Sequence, residues 1–146
     1  MGRLEGAKTM SNVYTRNRTA TGKEYYDVAT ALYMELRRVT GNPEIFPKRT
    51  LYTDVVPMLN SWHEMRNNLT KAETRFPVDE YSLKVRKEYL QRAIEAGETL
   101  FTQMQDCVWA IDSVTPDRVE QFGLLLIQEL KLLRGMKKNA KIQKPK

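Results

Sequence analysis

The sequence predicts an all-α protein built as an antiparallel four-helix bundle. Apolar residues recur at spacings of three and four in four separate stretches, and glycine, proline or capping residues separate these stretches. With 146 residues and 41% apolar content, the chain has enough material for one domain with one core. We expect the bundle to occupy residues 23–136, between a flexible basic N-terminal arm, 1–22, and a basic C-terminal tail, 137–146.

The first helix is predicted from Glu24 to about Val39. Its apolar positions are Tyr25, Val28, Leu32, Leu36 and Val39. Gly41 is expected to end the helix in the left-handed conformation, and Pro43 prevents it from continuing. The connection that follows carries Ile45 and Phe46, which we expect to cover one end of the core.

The second helix is predicted from about Thr50 to Thr74. Its apolar positions are Val55, Leu59, Trp62, Met65, Leu69 and Ala72. Pro57 lies inside this stretch, where a proline removes a backbone donor and clashes with the preceding turn. Either the helix is kinked there, which we favour, or its regular part begins near Asp54 as the N-cap.

The third helix, Tyr81 to Ile111, is the longest, and Asp79 is expected to begin it. Two columns of mainly apolar residues follow its length at sevenfold spacing, Leu83, Leu90, Gly97, Met104 and Ile111 in one and Ile94, Phe101 and Val108 in the other. Gly97 costs a helix about 1 kcal/mol relative to alanine, so we interpret it as a close approach of another helix. Cys107 falls within the apolar pattern and is expected to be buried rather than reactive.

The fourth helix begins at the sequence 113–117, in which a hydroxyl caps the free amides and Pro116 occupies the first turn. Its core positions are Val119, Phe122, Leu126, Leu130 and Leu133. Further apolar residues occupy most of its circumference, which predicts burial on more than one side and hence subunit contact. The predicted oligomer interface comprises Phe122, Leu124, Leu125, Ile127 and Leu132.

Residues suited to catalysis are scarce. His63 is the only histidine, no phosphate-binding, dinucleotide-binding or nucleophile-elbow motif is present, and we interpret His63 as a surface or core residue. We therefore expect neither an enzyme nor a metal or cofactor site. No apolar run is long enough to span a membrane and the N-terminus lacks an export signal, so we expect a cytoplasmic protein.

The net charge of +6 is concentrated at the two ends of the chain. Residues 131–146 carry seven Lys or Arg and no acid, whereas residues 24–130 have a net charge of −5. Basic ends on a compact body indicate a polyanionic partner, and a solubilising tail is the alternative. Helical spacing places Lys84, Lys87 and Arg92 on or beside the outward side of the third helix, and Arg86 near the edge of its apolar face.

The chain resembles the Avd-like branch of the bacterial four-helix-bundle family that includes ribosomal S23-type intervening-sequence proteins. The resemblance extends from about Tyr25 to Lys138 and is carried by Phe46-Pro47, Lys87–Ala93, Glu129–Met136 and the order of helices and breaks. It implies a ring-shaped homopentamer that serves as an accessory factor of a diversity-generating retroelement. Such a factor binds template RNA and the reverse transcriptase during mutagenic cDNA synthesis.

The nucleic-acid-binding candidates that the resemblance implies are Lys84, Arg86, Lys87, Arg92, Arg134, Lys137 and Lys138. The expected ligand is RNA, with DNA or an RNA/DNA hybrid as alternatives. Two other functions stay open at this point. One is a protein-interaction scaffold with a solubilising tail, and the other is a DNA-binding accessory of plasmid mobilisation.

Overall fold

The computed structural model describes residues 23–143, and this range contains four α-helices and no strand. They are α1 (Glu24–Thr40), α2 (Val56–Thr74), α3 (Glu80–Ala110) and α4 (Pro116–Asn139). The arm predicted at 1–22 and the last three residues of the predicted tail lie outside the described residues. No helix among those described is long and apolar enough to cross a membrane.

Each helix runs antiparallel to its neighbours. Lys23 beside α1 pairs with Glu73 near the end of α2 at 2.8 Å, and the indole of Trp62 donates to the carbonyl oxygen of Ala29 at 3.1 Å. Short connections join α2 to α3 and α3 to α4. Helix α3 packs against both α2 and α4, and α1 packs mainly against α4. The described chain is therefore a four-helix bundle, as the sequence predicts.

Most of the predicted apolar positions form the core, although Leu83 is only half-buried and lies outside it. Leu32, Leu36, Leu69, Leu90, Leu126 and Leu133 are all fully buried. Sequence periodicity missed Met58, Ala96 and Leu100, which are also buried. Ile45 and Phe46 lie in the loop after α1 and are 5% and 3% exposed, so they cover one end of the core as predicted.

The end of α1 and the start of α2 differ from the predictions. Gly41 has φ −84° and ψ −6°, which is right-handed, so the prediction of a left-handed glycine is wrong. Before α2 the chain forms a 3₁₀ turn at Lys48–Thr50 and a π turn at Leu51–Val55. The regular α-helix thus begins at Val56, with Val55 and not Asp54 as its N-cap, and Pro57 lies in its first turn directly after the π turn.

The starts of α3 and α4 are fixed differently. Asp79 caps α3, since its carboxylate accepts from the Ser82 amide at 2.7 Å while the Asp79 amide donates to the Ser82 hydroxyl at 3.0 Å. Thr115 is the N-cap of α4 but makes no capping hydrogen bond through its side chain. The predicted hydroxyl cap is thus wrong, and Ser113 instead donates to the carbonyl oxygen of Ile45 at 2.7 Å.

The last helix extends beyond its predicted boundary. It runs past Gly135 to Asn139, so Lys137 and Lys138 belong to the bundle and not to a separate tail. After the helix the chain turns back to the α2–α3 connection, where the Gln143 amide donates to the carbonyl oxygen of Pro77 at 2.8 Å. Gln143 therefore lies against the α2–α3 connection, and residues 140–142 link it to the end of α4.

Candidate nucleic-acid interface

Five of the seven proposed cations line one groove between α3 and α4. We call this surface the basic groove, defined by Lys84, Lys87, Arg134, Lys137 and Lys138. It consists of two adjoining depressions of about 460 Å³ each, which share Lys87 and Lys137. Antiparallel packing is what brings the first turns of α3 beside the last turns of α4.

The basic groove also contains acids, which weaken but do not cancel its positive charge. Glu80, Glu88 and Glu98 line it alongside the five cations. Arg134 pairs with Glu98 at 3.2 Å, but both side chains are more than half exposed, so water and salt screen this pair. An incoming phosphate can replace Glu98 as the partner of Arg134.

Arg86 lies outside the basic groove and has a structural role. Its guanidinium donates to the carbonyl oxygen of Ala72 at 2.8 Å and pairs with Glu73 at 3.2 Å. Burial alone would raise the pKa of Glu73, but hydrogen bonds from Lys23 and Tyr25 and the charges of Lys23 and Arg86 lower it. Arg86 therefore stabilises the junction of α1, α2 and α3 and lies apart from the cations of the basic groove.

Arg92 also lies away from the basic groove. Its guanidinium carbon is 5.6 Å from the centre of the Tyr89 ring, and Nζ of Lys71 on α2 is 5.9 Å from the same ring. Arg92 thus belongs to a second cationic surface, between α2 and α3. Sequence reasoning missed this surface because Lys71 and Tyr89 come from different helices.

The outward face of α4 divides into an apolar half and a basic half. Its exposed residues follow one another at spacings of three and four, in the order Leu124, Ile127, Lys131, Arg134 and Lys138. Leu124 and Ile127 are 56% and 54% exposed, which leaves both side chains available to a partner. We call these two residues the apolar strip.

The other residues of the predicted oligomer interface face inward to different extents. Phe122 is only 1% exposed and packs in the core of its own subunit, so it is not available to another copy. Leu125 and Leu132 are half-buried. The near-continuous apolar run of α4 thus combines core residues with the two exposed residues of the apolar strip.

A second exposed apolar surface lies near the start of α4. Trp109 is 89% exposed and borders a depression of about 330 Å³ lined by Phe101, Val108, Val119 and Gly123. Sequence analysis missed this feature, although the position of Trp109, directly after the apolar column at Val108, is a signal that could have found it. This surface adds to the area available for contact with another protein.

The described residues offer little reactive chemistry. No cluster of three His, Cys, Asp or Glu suited to a metal ion occurs among them, and the His63 ring packs edge-on against Trp62 at 5.1 Å. Cys107 is 2% exposed, and burial together with the charge of Asp54 raises the pKa of its thiol to about 12. Its predicted burial is confirmed.

Comparisons with known protein families, curated proteins and solved structures give no match for this chain.

Proposed function

We propose that this protein is a noncatalytic, nucleic-acid-binding accessory factor of a diversity-generating retroelement. In this proposal it assembles into a ring-shaped homopentamer, holds template RNA and docks the reverse transcriptase so that mutagenic cDNA can be made. The resemblance of residues 25–138 to Avd-like proteins suggests the pathway. The arrangement of charge on the bundle supports the RNA-binding part independently.

The observation that carries the proposal is the basic groove. Five cations from two helices line two adjoining depressions, although the middle of the chain has a net negative charge. Each cation that neutralises a phosphate releases a condensed counterion, so such a groove binds a polyanion with an affinity that falls as salt rises. Lys131 and Lys141, both exposed, extend the positive surface along and beyond α4.

The apolar strip supports assembly. Leu124 and Ile127 lie on the same face of α4 as Lys131, Arg134 and Lys138. Contact between copies through the apolar strip would leave the basic half of each α4 uncovered. A ring of such subunits would repeat the basic groove and so raise the affinity for a long RNA by multivalency.

The test uses two double variants that remove the same charge. Lys87→Gln/Lys138→Gln removes two cations from the basic groove. The control Lys48→Gln/Arg49→Gln removes two exposed cations from the 3₁₀ turn before α2, away from the groove. RNA affinity is measured by fluorescence anisotropy across a salt series. We expect the groove variant to lose affinity and to lower the slope of log affinity against log salt by about one to two units, since each single-strand phosphate contact contributes about 0.7.

Equal losses in the two variants would show that only total charge matters and would overturn the assignment of the groove. Wild-type affinity that does not change with salt would overturn the electrostatic mechanism itself. Preference for duplex DNA over structured RNA would instead favour the mobilisation accessory. Light scattering with and without nuclease then tests assembly, for which we expect a fivefold multiple of 17.0 kDa with copurifying RNA.

A second candidate function, a protein-interaction scaffold, is favoured by the exposed apolar surfaces. Trp109, Leu124 and Ile127 are each more than half exposed, and exposed apolar surface of this kind is typical of protein-interaction sites. Under this alternative the cations only aid solubility. A monomer free of nucleic acid in light scattering would leave the scaffold as the better account.

A further inference from the structure

A pocket of about 520 Å³ lies between the end of α2 and the start of α3, away from the basic groove. Three aromatic residues line it, of which Phe76 is 55% exposed, Tyr81 is 70% exposed and Tyr89 is half-buried. Lys71 and Arg75 line the same pocket. We call it the aromatic pocket, defined by these five residues.

The three rings differ in how they are held. Phe76 and Tyr81 do not belong to the core, whereas Tyr89 packs against it and offers a firmly held ring. Tyr89 also has two cations near its ring, with Lys71 Nζ at 5.9 Å and the Arg92 guanidinium carbon at 5.6 Å from its centre. Rings held beside Lys and Arg are the combination that single-strand-binding proteins use, with bases on the rings and phosphates on the cations.

The acid in the aromatic pocket is already partly compensated. Asp79 accepts hydrogen bonds from the Ser82 amide at 2.7 Å and the Ser82 hydroxyl at 2.8 Å, and these bonds lower its pKa. Lys71 and Arg75 thus outnumber the one carboxylate that lines the pocket, and Arg92 adds positive charge beside the Tyr89 ring. The charge therefore suits an anionic ligand with flat apolar parts better than an apolar peptide.

The segment after α4 passes beside the aromatic pocket. The Gln143 amide donates to the carbonyl oxygen of Pro77, which lies between Phe76 and Val78 of the pocket. This bond holds exposed Lys141, two residues earlier, in the segment that connects α4 to the pocket. The same segment begins directly after Lys137 and Lys138, so it links the basic groove to the aromatic pocket.

We infer that the aromatic pocket binds unpaired bases of a single-stranded nucleic acid, with Tyr81 and Phe76 stacking on the bases while Lys71 and Arg75 contact the flanking phosphates. This inference rests on the proposed function and specifies which part of the nucleic acid is recognised here. The basic groove takes the backbone without regard to base, and the aromatic pocket selects strands whose bases are free to stack. Structured RNA with an unpaired stretch is thus the ligand class that engages both sites.

The test compares a labelled uridine oligomer of about twelve nucleotides with a ribose-phosphate oligomer of the same length that lacks bases. We expect the wild type to bind the uridine oligomer about tenfold or more tightly than the abasic one. Phe76→Leu/Tyr81→Leu abolishes this preference and leaves affinity for the abasic oligomer unchanged. Both residues are exposed, so the variant should fold, which circular dichroism checks.

Tyr52→Leu is the matched control, because Tyr52 is 82% exposed but lies before α2, at the far end of that helix from the aromatic pocket. It should retain the full preference for bases. The inference is overturned if the wild type binds the two oligomers equally, or if Phe76→Leu/Tyr81→Leu keeps the preference for bases. A peptide would then be the better candidate ligand for the pocket. In those cases salt-dependent RNA binding through the basic groove would still stand. A wild-type protein that bound no nucleic acid at all would defeat both proposals.

Discussion

Gly97 of α3 lies directly against Leu130 of α4. A Cβ atom added at Gly97 would come within 2.7 Å of Cδ2 of Leu130 and 3.2 Å of Sδ of Met65. Leu130 is 5% exposed and Met65 is fully buried, so both side chains would have to shift within the packed core to admit the new atom. The glycine thus allows α2, α3 and α4 to approach closely at the middle of α3, as the sequence predicts.

Gly97→Ala should therefore fail to give the stabilisation that alanine normally brings to a helix. Alanine is favoured over glycine inside a helix by about 1 kcal/mol, but overpacking a core costs about 1–3 kcal/mol. We expect the free energy of unfolding of Gly97→Ala to equal or fall below that of the wild type, as measured by urea denaturation. Gly135→Ala is the control, since Gly135 lies in α4 with nothing within 4 Å of its added Cβ, and should be stabilised.

A Leu130→Ala background makes the test specific. Removing the Leu130 side chain removes the clash, so Gly97→Ala should become stabilising in that background although Leu130→Ala itself destabilises the core. Strictly additive effects of the two substitutions would show that the contact does not limit the approach of α3 and α4.

Arg86→Ala is expected to lower stability without a specific loss of RNA affinity. It removes the hydrogen bond to the carbonyl oxygen of Ala72 and leaves Glu73 with one fewer cation. Loss of such partly buried, charge-assisted bonds costs roughly 1–3 kcal/mol in the free energy of unfolding. Lys84→Ala, at an exposed site of the same helix, should do the reverse, with little change in stability and weaker RNA binding. If Arg86→Ala weakened RNA binding as much as Lys84→Ala did, the structural role would be wrong.

Periodicity and breaks in the sequence were sufficient to predict four helices, the close approach at Gly97 and the burial of Cys107. They could not reveal the role of Arg86, because its partners are a backbone carbonyl at the end of α2 and Glu73, and sequence spacing within α3 says nothing about either. The aromatic pocket was missed for the same reason. Its rings and cations come from two helices and a loop, so they become neighbours only once α2 and α3 pack.

The π turn and the end of α4 show a different limit. Pro57 indicates an irregularity, but whether a helix kinks there or begins anew depends on how the preceding turn packs. Here that turn is fixed by Val55, which is buried in the core. Gly135 and the following lysines favour a helix end, yet α4 continues to Asn139 because Leu133 and Met136 pack against the core. Tertiary contacts thus override the local preference at both places.

Leu124→Gln/Ile127→Gln should reduce the oligomeric mass without unfolding the subunit. Both side chains are more than half exposed, so the substitution costs the bundle little but removes apolar area from the predicted contact between copies. Light scattering and circular dichroism report mass and helix content separately. Met34→Gln, at a residue that is 58% exposed on α1, is the control and should keep the wild-type mass. An unchanged mass in the double variant would mean that the apolar strip is not the interface.

Cys107 should resist alkylation until the protein unfolds. Its thiol is buried and donates to Asp54 at 3.8 Å, and burial with the nearby Asp54 charge raises its pKa to about 12, so almost no thiolate exists near neutral pH. We expect iodoacetamide to modify the thiol only in denaturant, as followed by mass spectrometry. Rapid modification of the native protein would show that the region around Cys107 opens readily.

The buried carboxyl of Glu129 should make the stability of the protein depend on pH in an unusual way. It is fully buried in α4, and neither carboxylate oxygen has a hydrogen-bond partner within the described part of the chain. Burial raises its pKa from 4.5 to about 8, against an opposing attraction from Arg66 of α2. The folded protein therefore keeps a proton that the unfolded chain releases above pH 4.5, so the free energy of unfolding should fall as pH rises from about 4.5 to 8.

Glu129→Gln should remove this dependence, because an amide keeps the size and polarity of the neutral carboxyl but does not ionise. At about pH 5 its melting temperature should lie close to that of the wild type, whereas near pH 8 it should be higher by several degrees, equivalent to a few kcal/mol. Glu120→Gln changes an exposed acid on the same helix and should retain the wild-type slope. If Glu129→Gln kept that slope as well, the carboxyl would have to be ionised in the core, with Arg66 compensating its charge.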